Sequence, residues 1–418
     1  NMIKKWLKRS LSLTLLPLLA WQVYLQGQGG MVSERLKQES PEPYTAVDPS
    51  YHLTAKALTR LAEKANEAGK LDESEQLALQ GMARNITSGE PPAHLLQLYA
   101  SQKRSQQATE AASIAGKLWP AHTYTQTRLA DYWARQQRLD KLIPTWNVLL
   151  TRNGSLQATI FPVLQQLLAQ EEHKALFSPF IEKPPTWWSS FFNHLAQNAE
   201  PTLLNSVYEQ RQKSKTPISK EERTIYVARL LRDQDWANAY QIWQTGIPPK
   251  LLNKKNLIFD GGFEGDSFNS GFDWQISQTR EISIKPDVTY GIKGKQAIHI
   301  RLKRDNPVHF QHLSQTLLLP ADEYQLSMRY RLDTLKNPKG LRWRIHCLNT
   351  ASTLLGESHA LRGQKSWDTL NVTFSVPSQD CGAQRLRLEA DSAYRHDHTF
   401  EGHLWFDDIA IQPITDKE

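Results

Sequence analysis

The sequence predicts a multidomain protein of mixed α and β type, with an apolar N-terminal segment, an α-helical solenoid and a C-terminal β-sandwich. Three patterns predict this organisation. A cationic cluster precedes a short apolar run within 1–30, and amphipathic helices recur in pairs within 51–247. Within 251–418, apolar and polar residues alternate along short strands that are separated by turn residues. The residues at 31–50, rich in Pro, Glu and Ser, form a linker between the first two regions.

The N-terminal segment has the composition of a targeting sequence. Lys4, Lys5, Lys8 and Arg9 precede an apolar run at 11–25, which is the order found in signal peptides and signal-anchors. No A-x-A cleavage site follows the run, so we expect an uncleaved signal-anchor with its cationic end in the cytoplasm. The sequence therefore predicts a single-pass protein of the bacterial inner membrane with the bulk of the chain in the periplasm.

The central region is predicted to form helical pairs. The pairs are 52–67 with 71–86, 92–102 with 105–118, 124–136 with 139–150 and, after an irregular stretch, 221–232 with 236–244. The segment 67–75 resembles the turn between the two helices of a tetratricopeptide repeat, and Trp119 with Pro120 resembles a break between repeats. This resemblance implies a tetratricopeptide-like solenoid whose concave surface binds protein partners.

The C-terminal region is predicted to be a β-sandwich. Its clearest strands are 297–303, 324–332, 341–347, 370–376 and 385–390. The opening sequence NLIFDGGFEGD at 256–266, the G-x-x-W at 271–274 and the closing HLWFDDIAI at 403–411 resemble the carbohydrate-binding jelly rolls of the galactose-binding-like type. The resemblance covers about the last two fifths of the chain and implies that this region binds polysaccharide.

Both ends of the sandwich carry carboxylates. If the first and last strands pair, Glu264 approaches Asp407 or Asp408, and carboxylate oxygens are what Ca²⁺ prefers. Strand alternation places Trp405, Asp407 and Ile409 on one face and Phe406 and Asp408 on the other. The ligating aspartate is therefore left open. In modules similar to this one the calcium is structural. The other interpretation is that Glu264 lies in an ordinary turn and that Asp407 and Asp408 are simply solvated.

Arginine residues recur on strand faces that point away from the core. In 341–347 the apolar residues share one face, which leaves Arg342, Arg344 and His346 on the other, and Arg329 is placed in the same way on its own strand. The guanidinium fork suits the carboxylates of an acidic polysaccharide or the hydroxyl pairs of a neutral one. Trp367, in a loop before a strand, is the candidate for stacking on a sugar ring. The simpler interpretation is a solvated sheet face and a structural tryptophan.

The chain contains two cysteines, Cys347 and Cys381, both within the predicted sandwich. They are either buried free thiols or one disulfide, and the compartment decides between these. With an export signal at the N-terminus, we expect the disulfide.

The remaining patterns exclude several classes of function. Four of the cationic residues that give the net charge of +7 lie in the N-terminal segment, and no basic run is interleaved with aromatic residues, so nucleic acid is not an expected partner. No nucleophile elbow, phosphate-binding loop or dinucleotide motif is present, and no strand carries alternating acidic residues as jelly-roll glycanases do. The absence of these motifs favours a non-catalytic protein. The combination of anchor, solenoid and sandwich resembles the accessory proteins of bacterial exopolysaccharide systems, and this resemblance implies a role in exopolysaccharide synthesis or export. The alternatives are a pure protein scaffold of an envelope or secretion complex and an unrecognised polysaccharide hydrolase or lyase.

Overall fold

The computed structural model describes residues 53–252, 256–265, 269–349, 351–390, 392 and 394–414. The chain divides into two compact units, 1–191 and 192–418. Within the described residues, the first unit is helical and the second joins helices to a β-sandwich. The predicted anchor at 1–30 and linker at 31–50 lie outside the described residues.

The helices of the described part follow the predicted pairs closely. They are α1 Ala55–Glu67, α2 Leu71–Arg84, α3 Glu90–Ser101, α4 Ser105–Leu118, α5 Thr123–Arg135, α6 Leu139–Arg152, α7 Gln157–Leu168, α8 Ser178–Glu182, α9 Trp188–Asn198, α10 Pro201–Lys213, α11 Lys220–Arg232 and α12 Trp236–Gln244. In α4 the buried residues are alanines at helical spacing, Ala108, Ala111, Ala112 and Ala115. Such small side chains allow neighbouring helices to approach closely.

The turns between paired helices share one backbone geometry. Gly69, Lys103 and Gln137 each follow the first helix of a pair with positive φ, and each is about 34 residues from the next, which is the tetratricopeptide period. Gln234 has the same conformation between α11 and α12. In each turn the following N–H bonds back to a carbonyl five residues earlier, as in Lys70 to Ala65 and Asp235 to Leu230. The region is thus a helical repeat in its geometry.

The strands form two antiparallel five-stranded sheets. They are β1 Gln275–Ile276, β2 Ile282–Asp287, β3 Ala297–Leu302, β4 Leu313–Leu317, β5 Asp322–Lys336, β6 Leu341–Cys347, β7 Leu354–Glu357, β8 Gly363–Val376, β9 Gln384–Ala390 and β10 Glu401–Pro413. The first sheet has the order β1-β4-β9-β6-β7 and the second the order β2-β3-β10-β5-β8. The core lies between them, where Trp274, Trp343 and Phe406 meet, and Trp343 is fully buried as alternation predicts.

The last helix packs against the sandwich within the second unit. Trp243 of α12 contacts Phe259 and Phe272, with ring centroids 4.9 and 5.6 Å apart. At Gly271, which has φ +58°, a Cβ would lie 2.5 Å from the Trp243 ring, so only glycine permits this approach. The α11–α12 pair therefore belongs structurally with the sandwich.

One strand departs from simple alternation. Asp408 has φ +55° and inserts a bulge in β10, where its pairing with β5 shifts between Asp407 and Ala410. Ile409 is consequently buried in the core, so the expectation that Ile409 shares the face of Trp405 and Asp407 is wrong.

The predicted localisation is also corrected. No helix in the described ranges is long and apolar enough to cross a membrane. A span needs about 20 apolar residues, whereas the longest of these helices, such as α2 and α6, have 14 residues and are amphipathic. The described residues therefore do not support the predicted single-pass inner-membrane protein.

Candidate functional site

The outward face of the second sheet carries an unusual row of aromatic and cationic side chains. Its strands bury Ile284, Ile300, Leu404 and Leu332 toward the core, so that the alternate residues point outward. In the register of the sheet, Trp405 of β10 lies between His299 of β3 and Arg331 of β5. We call the surface formed by Tyr290, Arg329, Arg331, Trp367 and Trp405 the aromatic–arginine face.

Arg331 is the centre of this face. Its guanidinium carbon lies 4.5 Å from the ring centroid of Tyr290, 4.9 Å from that of Trp405 and 5.7 Å from that of Trp367. The guanidinium donates to Thr289 Oγ1 at 2.8 Å and to Asp333 Oδ2 at 2.9 Å. Arg331 is buried, and a cation held between aromatic rings fixes the orientation of all of them.

A loop covers one side of the face and completes it. The Trp367 indole N–H donates to the carbonyl oxygen of Tyr290 at 2.8 Å, and Arg329 donates to the carbonyl oxygen of Gly291 at 2.7 Å. The Arg329 guanidinium also lies 4.9 Å from the Trp367 ring centroid. Gly291 has φ +73°, and a Cβ there would lie 2.8 Å from Trp367. The glycine therefore lets the loop lie directly on the indole.

The face combines accessible aromatic surface with fixed geometry. Tyr290 is 71% exposed, and Trp367 is half-buried although its N–H is bonded. An exposed tyrosine usually contributes little to the stability of a fold. The position of Tyr290 against the buried Arg331 therefore points to a role in binding. Aromatic faces of this kind can pack against the C–H groups of a sugar ring.

Two histidines extend the row toward β2. His299 stacks on Trp405 with centroids 4.0 Å apart and planes 5° from parallel, and its Nε2 lies 2.9 Å from Nδ1 of His403. Burial lowers the pKa of His299, and the neighbouring His403 lowers it further, against the opposing effect of Asp287. The lowered pKa favours the neutral form of the imidazole that stacks on Trp405.

Arg342, Arg344 and His346 lie elsewhere, on the outward face of the first sheet. Arg344 pairs with Glu357 at 2.9 Å and with Glu389 at 3.4 Å, and His346 Nε2 lies 3.1 Å from the same Glu389 carboxylate. Arg342 donates to the carbonyl oxygen of Ser358 at 2.8 Å. Burial raises the pKa of Glu389, but Arg387 and His346 together lower it by more, so this pKa lies below its ordinary value. These arginines form a closed structural network.

The structure thus separates the predicted ligand-binding residues into two groups. Arg329 and Trp367 meet on the aromatic–arginine face, whereas Arg342, Arg344 and His346 lie on the opposite side of the sandwich. Sequence reasoning missed Tyr290 and Trp405 as members of a site. Alternation placed Trp405 on the same strand face as Asp407, but it did not say which face points outward, and nothing in the sequence signalled that the loop with Tyr290 folds over the sheet.

The predicted metal ligands lie around one loop of the sandwich. Asp407 accepts the Lys293 N–H at 2.7 Å, and Glu264 accepts the Lys295 N–H at 2.7 Å. Burial raises the pKa of Asp407, while the exposed Asp408 pairs with the Lys293 ammonium at 2.6 Å. Among the residues that the structure describes, no three His, Cys, Asp or Glu side chains are grouped to hold a metal ion. Glu264 and Asp407 therefore supply two carboxylates beside one loop, and calcium stays a prediction.

The two cysteines form a disulfide. Cys347 at the end of β6 and Cys381 before β9 are joined with an S–S distance of 2.01 Å, and their Cα atoms are 5.1 Å apart. The bond links two neighbouring strands of the first sheet. It lies within the sandwich core and not on the aromatic–arginine face.

Comparison with known proteins gives similarity in solved structures only. No family model and no curated protein matches the chain. The C-terminal β region resembles carbohydrate-binding modules: a family 4 module (17% identity, 37% of this chain and 99% of that chain, TM-score 0.28) and the CBM22-1 xylan-binding domain of Paenibacillus barcinonensis Xyn10C (11%, 40% and 99%, 0.27). A third is TmCBM61, solved in complex with β-1,4-galactotriose (16%, 38% and 99%, 0.27). At such values the likeness carries no inference about the ligand of this chain.

Proposed function

We propose that the sandwich binds polysaccharide on the aromatic–arginine face. The observation that carries the proposal is the exposed ring of Tyr290 beside Trp367. The Trp367 N–H donates to the Tyr290 carbonyl oxygen, and the buried Arg331 guanidinium lies against both rings. Rings that are held in place before binding lose little conformational entropy on binding, so stacking on a pyranose contributes more of its energy to affinity. The arginine forks supply donors for sugar hydroxyl or carboxylate groups.

The charge of the face bears on the class of glycan. On strands β2, β3, β5 and β10, the outward surface that includes this face carries the cations Lys285, Arg301, Arg329 and Arg331 and the carboxylates Asp287, Asp333 and Asp407. Arg331 is committed to Thr289 and Asp333, whereas the Arg329 side chain is 22% exposed. An acidic polysaccharide would gain from Arg329 and Arg301, and its affinity would fall as salt rises because charges on an open face are screened.

The proposal includes a non-catalytic role, in which the helical repeats bind a protein partner and the sandwich holds the glycan. The combination of the two regions suits exopolysaccharide synthesis or export, where a growing chain must be retained near other proteins. Deletion of the gene in the source organism is expected to change the amount or the length of the secreted polysaccharide. Polysaccharide that is unchanged in both respects would contradict this assignment.

A glycan array with the full chain tests the binding proposal. We expect retention of at least one polysaccharide class, and loss of that signal in the double variant Tyr290→Ala with Trp367→Ala. Tyr394→Ala is the matched control, because Tyr394 is an equally accessible tyrosine, 66% exposed, that lies outside the face. Signal retained by the double variant, or lost by the control alone, would move the site elsewhere.

A further inference from the structure

A cavity lies within the second unit, where α11 and α12 meet the loops of the sandwich. It has a volume of about 320 Å³ and is lined by Lys220, Arg223, Thr224, Trp243, Phe259 and Ser270 among others. We call it the helix–sandwich cleft. Its volume falls within the range of small-molecule sites, and it is separate in residues from the aromatic–arginine face.

Two buried donors in this cleft have no acceptor. In the part of the chain that the structure describes, neither Nε of Arg223 nor Nε1 of Trp243 has a hydrogen-bond partner. Trp243 is only 3% exposed. Because a buried donor without an acceptor destabilises the folded state, such groups in a folded protein call for a bound acceptor. Two of them in the wall of one cavity indicate that the acceptor belongs to a ligand.

The charges of the wall indicate the class of that ligand. The ionisable residues that line the cleft are Lys220, Arg223, Asp260 and Asp273, so cations and carboxylates are balanced. Asp260 accepts the N–H of Glu264 at 2.8 Å and that of Gly265 at 3.0 Å. A ligand with a net charge would be attracted by two of these residues and repelled by the other two. A neutral ligand with both acceptor and donor atoms fits this wall better.

Other groups in the wall suit hydroxyls and C–H surface. The hydroxyls of Thr224 and Ser270 lie 3.3 Å apart, and each can donate and accept. The rings of Trp243 and Phe259 meet edge to face at 4.9 Å and supply apolar surface. A sugar presents just this combination, with hydroxyls at its rim and C–H groups on its faces.

We propose that the helix–sandwich cleft binds a neutral pyranose sugar, either as a free monosaccharide or as the end of a glycan. Sugar hydroxyls accept from Arg223 Nε and Trp243 Nε1, and the ring packs on the aromatic wall. The site joins residues of α11 and α12 to loops of the sandwich, so an occupied cleft ties the helices to the sandwich.

Saturation-transfer NMR of the full chain with D-glucose, D-galactose, D-mannose and D-glucuronate tests the proposal. We expect saturable binding of at least one neutral sugar, weakened at least about tenfold in Arg223→Met, which keeps the stem and removes the donors. Trp243→Phe, which keeps a ring without the N–H, should also weaken it. Lys213→Gln, an exposed cation on α10 outside the cleft, is the control. A disaccharide of the sugar that binds tells the two ligands apart. If the cleft takes the end of a glycan, the disaccharide should bind as well as the monosaccharide. If it takes a free sugar, only the monosaccharide should bind.

The double variant Tyr290→Ala with Trp367→Ala distinguishes this site from the proposed polysaccharide site, since it should leave binding in the cleft unchanged. Three results would overturn the proposal: no saturable binding of any neutral sugar, binding of glucuronate alone, or binding that Arg223→Met leaves intact. Thermal unfolding of Arg223→Met, compared with the parent, checks that lost binding does not come from lost folding.

Discussion

The indole N–H of Trp367 donates to the carbonyl oxygen of Tyr290 at 2.8 Å, so a strand of the second sheet holds the loop that crosses it. Through this bond, the most exposed aromatic ring of the sandwich face is placed beside Arg331. The relationship distinguishes an organised surface from scattered apolar residues, which are common on proteins and need no explanation.

The two groups of arginines should respond differently to substitution. Arg329→Ala removes a guanidinium that contacts Trp367 and Gly291, and should weaken glycan binding about tenfold, which corresponds to 1.4 kcal/mol. Arg344→Ala acts on the opposite sheet and should leave affinity unchanged. Isothermal titration with the glycan found on the array measures both.

The unfolding free energy of Arg344→Ala shows whether Arg344 has a structural role. Arg344→Ala leaves the buried Glu389 with fewer partners and should cost about 1–3 kcal/mol in unfolding free energy, measured by urea titration. Loss of glycan binding in Arg344→Ala with intact binding in Arg329→Ala would reverse the assignment of the two faces.

The helical unit should lose stability in acid through His94. Its Nε2 bonds to Ser74 Oγ, which itself donates to the carbonyl oxygen of Ala62, so the proton lies on Nε2. Nδ1 is then a buried acceptor that has no partner among the described residues. Burial, opposed by Glu63 and assisted by Arg128, lowers the pKa of His94 to about 4. A depressed histidine pKa means that the unfolded chain takes up the proton first, so this stability is present above the unfolded pKa and is lost as pH falls.

The expected loss is about 1.4 kcal/mol per pH unit below about pH 6.5, and about 3 kcal/mol in all by pH 4. Urea unfolding of the full chain at pH 7 and pH 4.5 measures it. In His94→Gln the difference between the two pH values should shrink by the greater part of this amount. An equal difference in the variant and the parent would assign the pH dependence to other groups.

Calcium between Glu264 and Asp407 would stabilise the sandwich, because a cation that binds only the folded state raises its unfolding temperature. The full chain with chelator should then melt below the same protein with added Ca²⁺, and Asp407→Asn should abolish that difference. Asp408→Asn is the matched control, since Asp408 is exposed and pairs with Lys293. An unchanged melting temperature in chelator would remove calcium from the account.

Alternation and periodicity predicted much of the fold because they report burial directly. The strand Leu341–Cys347 and the helix Trp236–Gln244 match the predicted bounds. Alternation cannot reveal a bulge at a non-glycine residue. The bulge at Asp408, which shifts the alternation so that Ile409 faces the core, was therefore not predicted. The short strands β1 and β7 carry too few residues to show a period.

The site was harder to predict than the fold. Alternation shows that Arg329 and Arg344 both point away from the core, but the order of strands decides which sheet each belongs to. That order depends on pairings between distant segments, such as β3 with β10, which local patterns do not contain. Tyr290 gave no signal, because its role arises from a loop that folds onto Trp367.

The most direct test of glycan binding on the aromatic–arginine face is isothermal titration of Trp367→Ala and Trp367→Phe against the parent. Trp367→Ala should abolish measurable binding, because it removes both the stacking surface and the bond that holds Tyr290. Trp367→Phe keeps a ring but not the N–H, and should bind with intermediate affinity. Circular dichroism should show the same fold in all three proteins. Parent-like affinity in a folded Trp367→Ala variant would contradict the account.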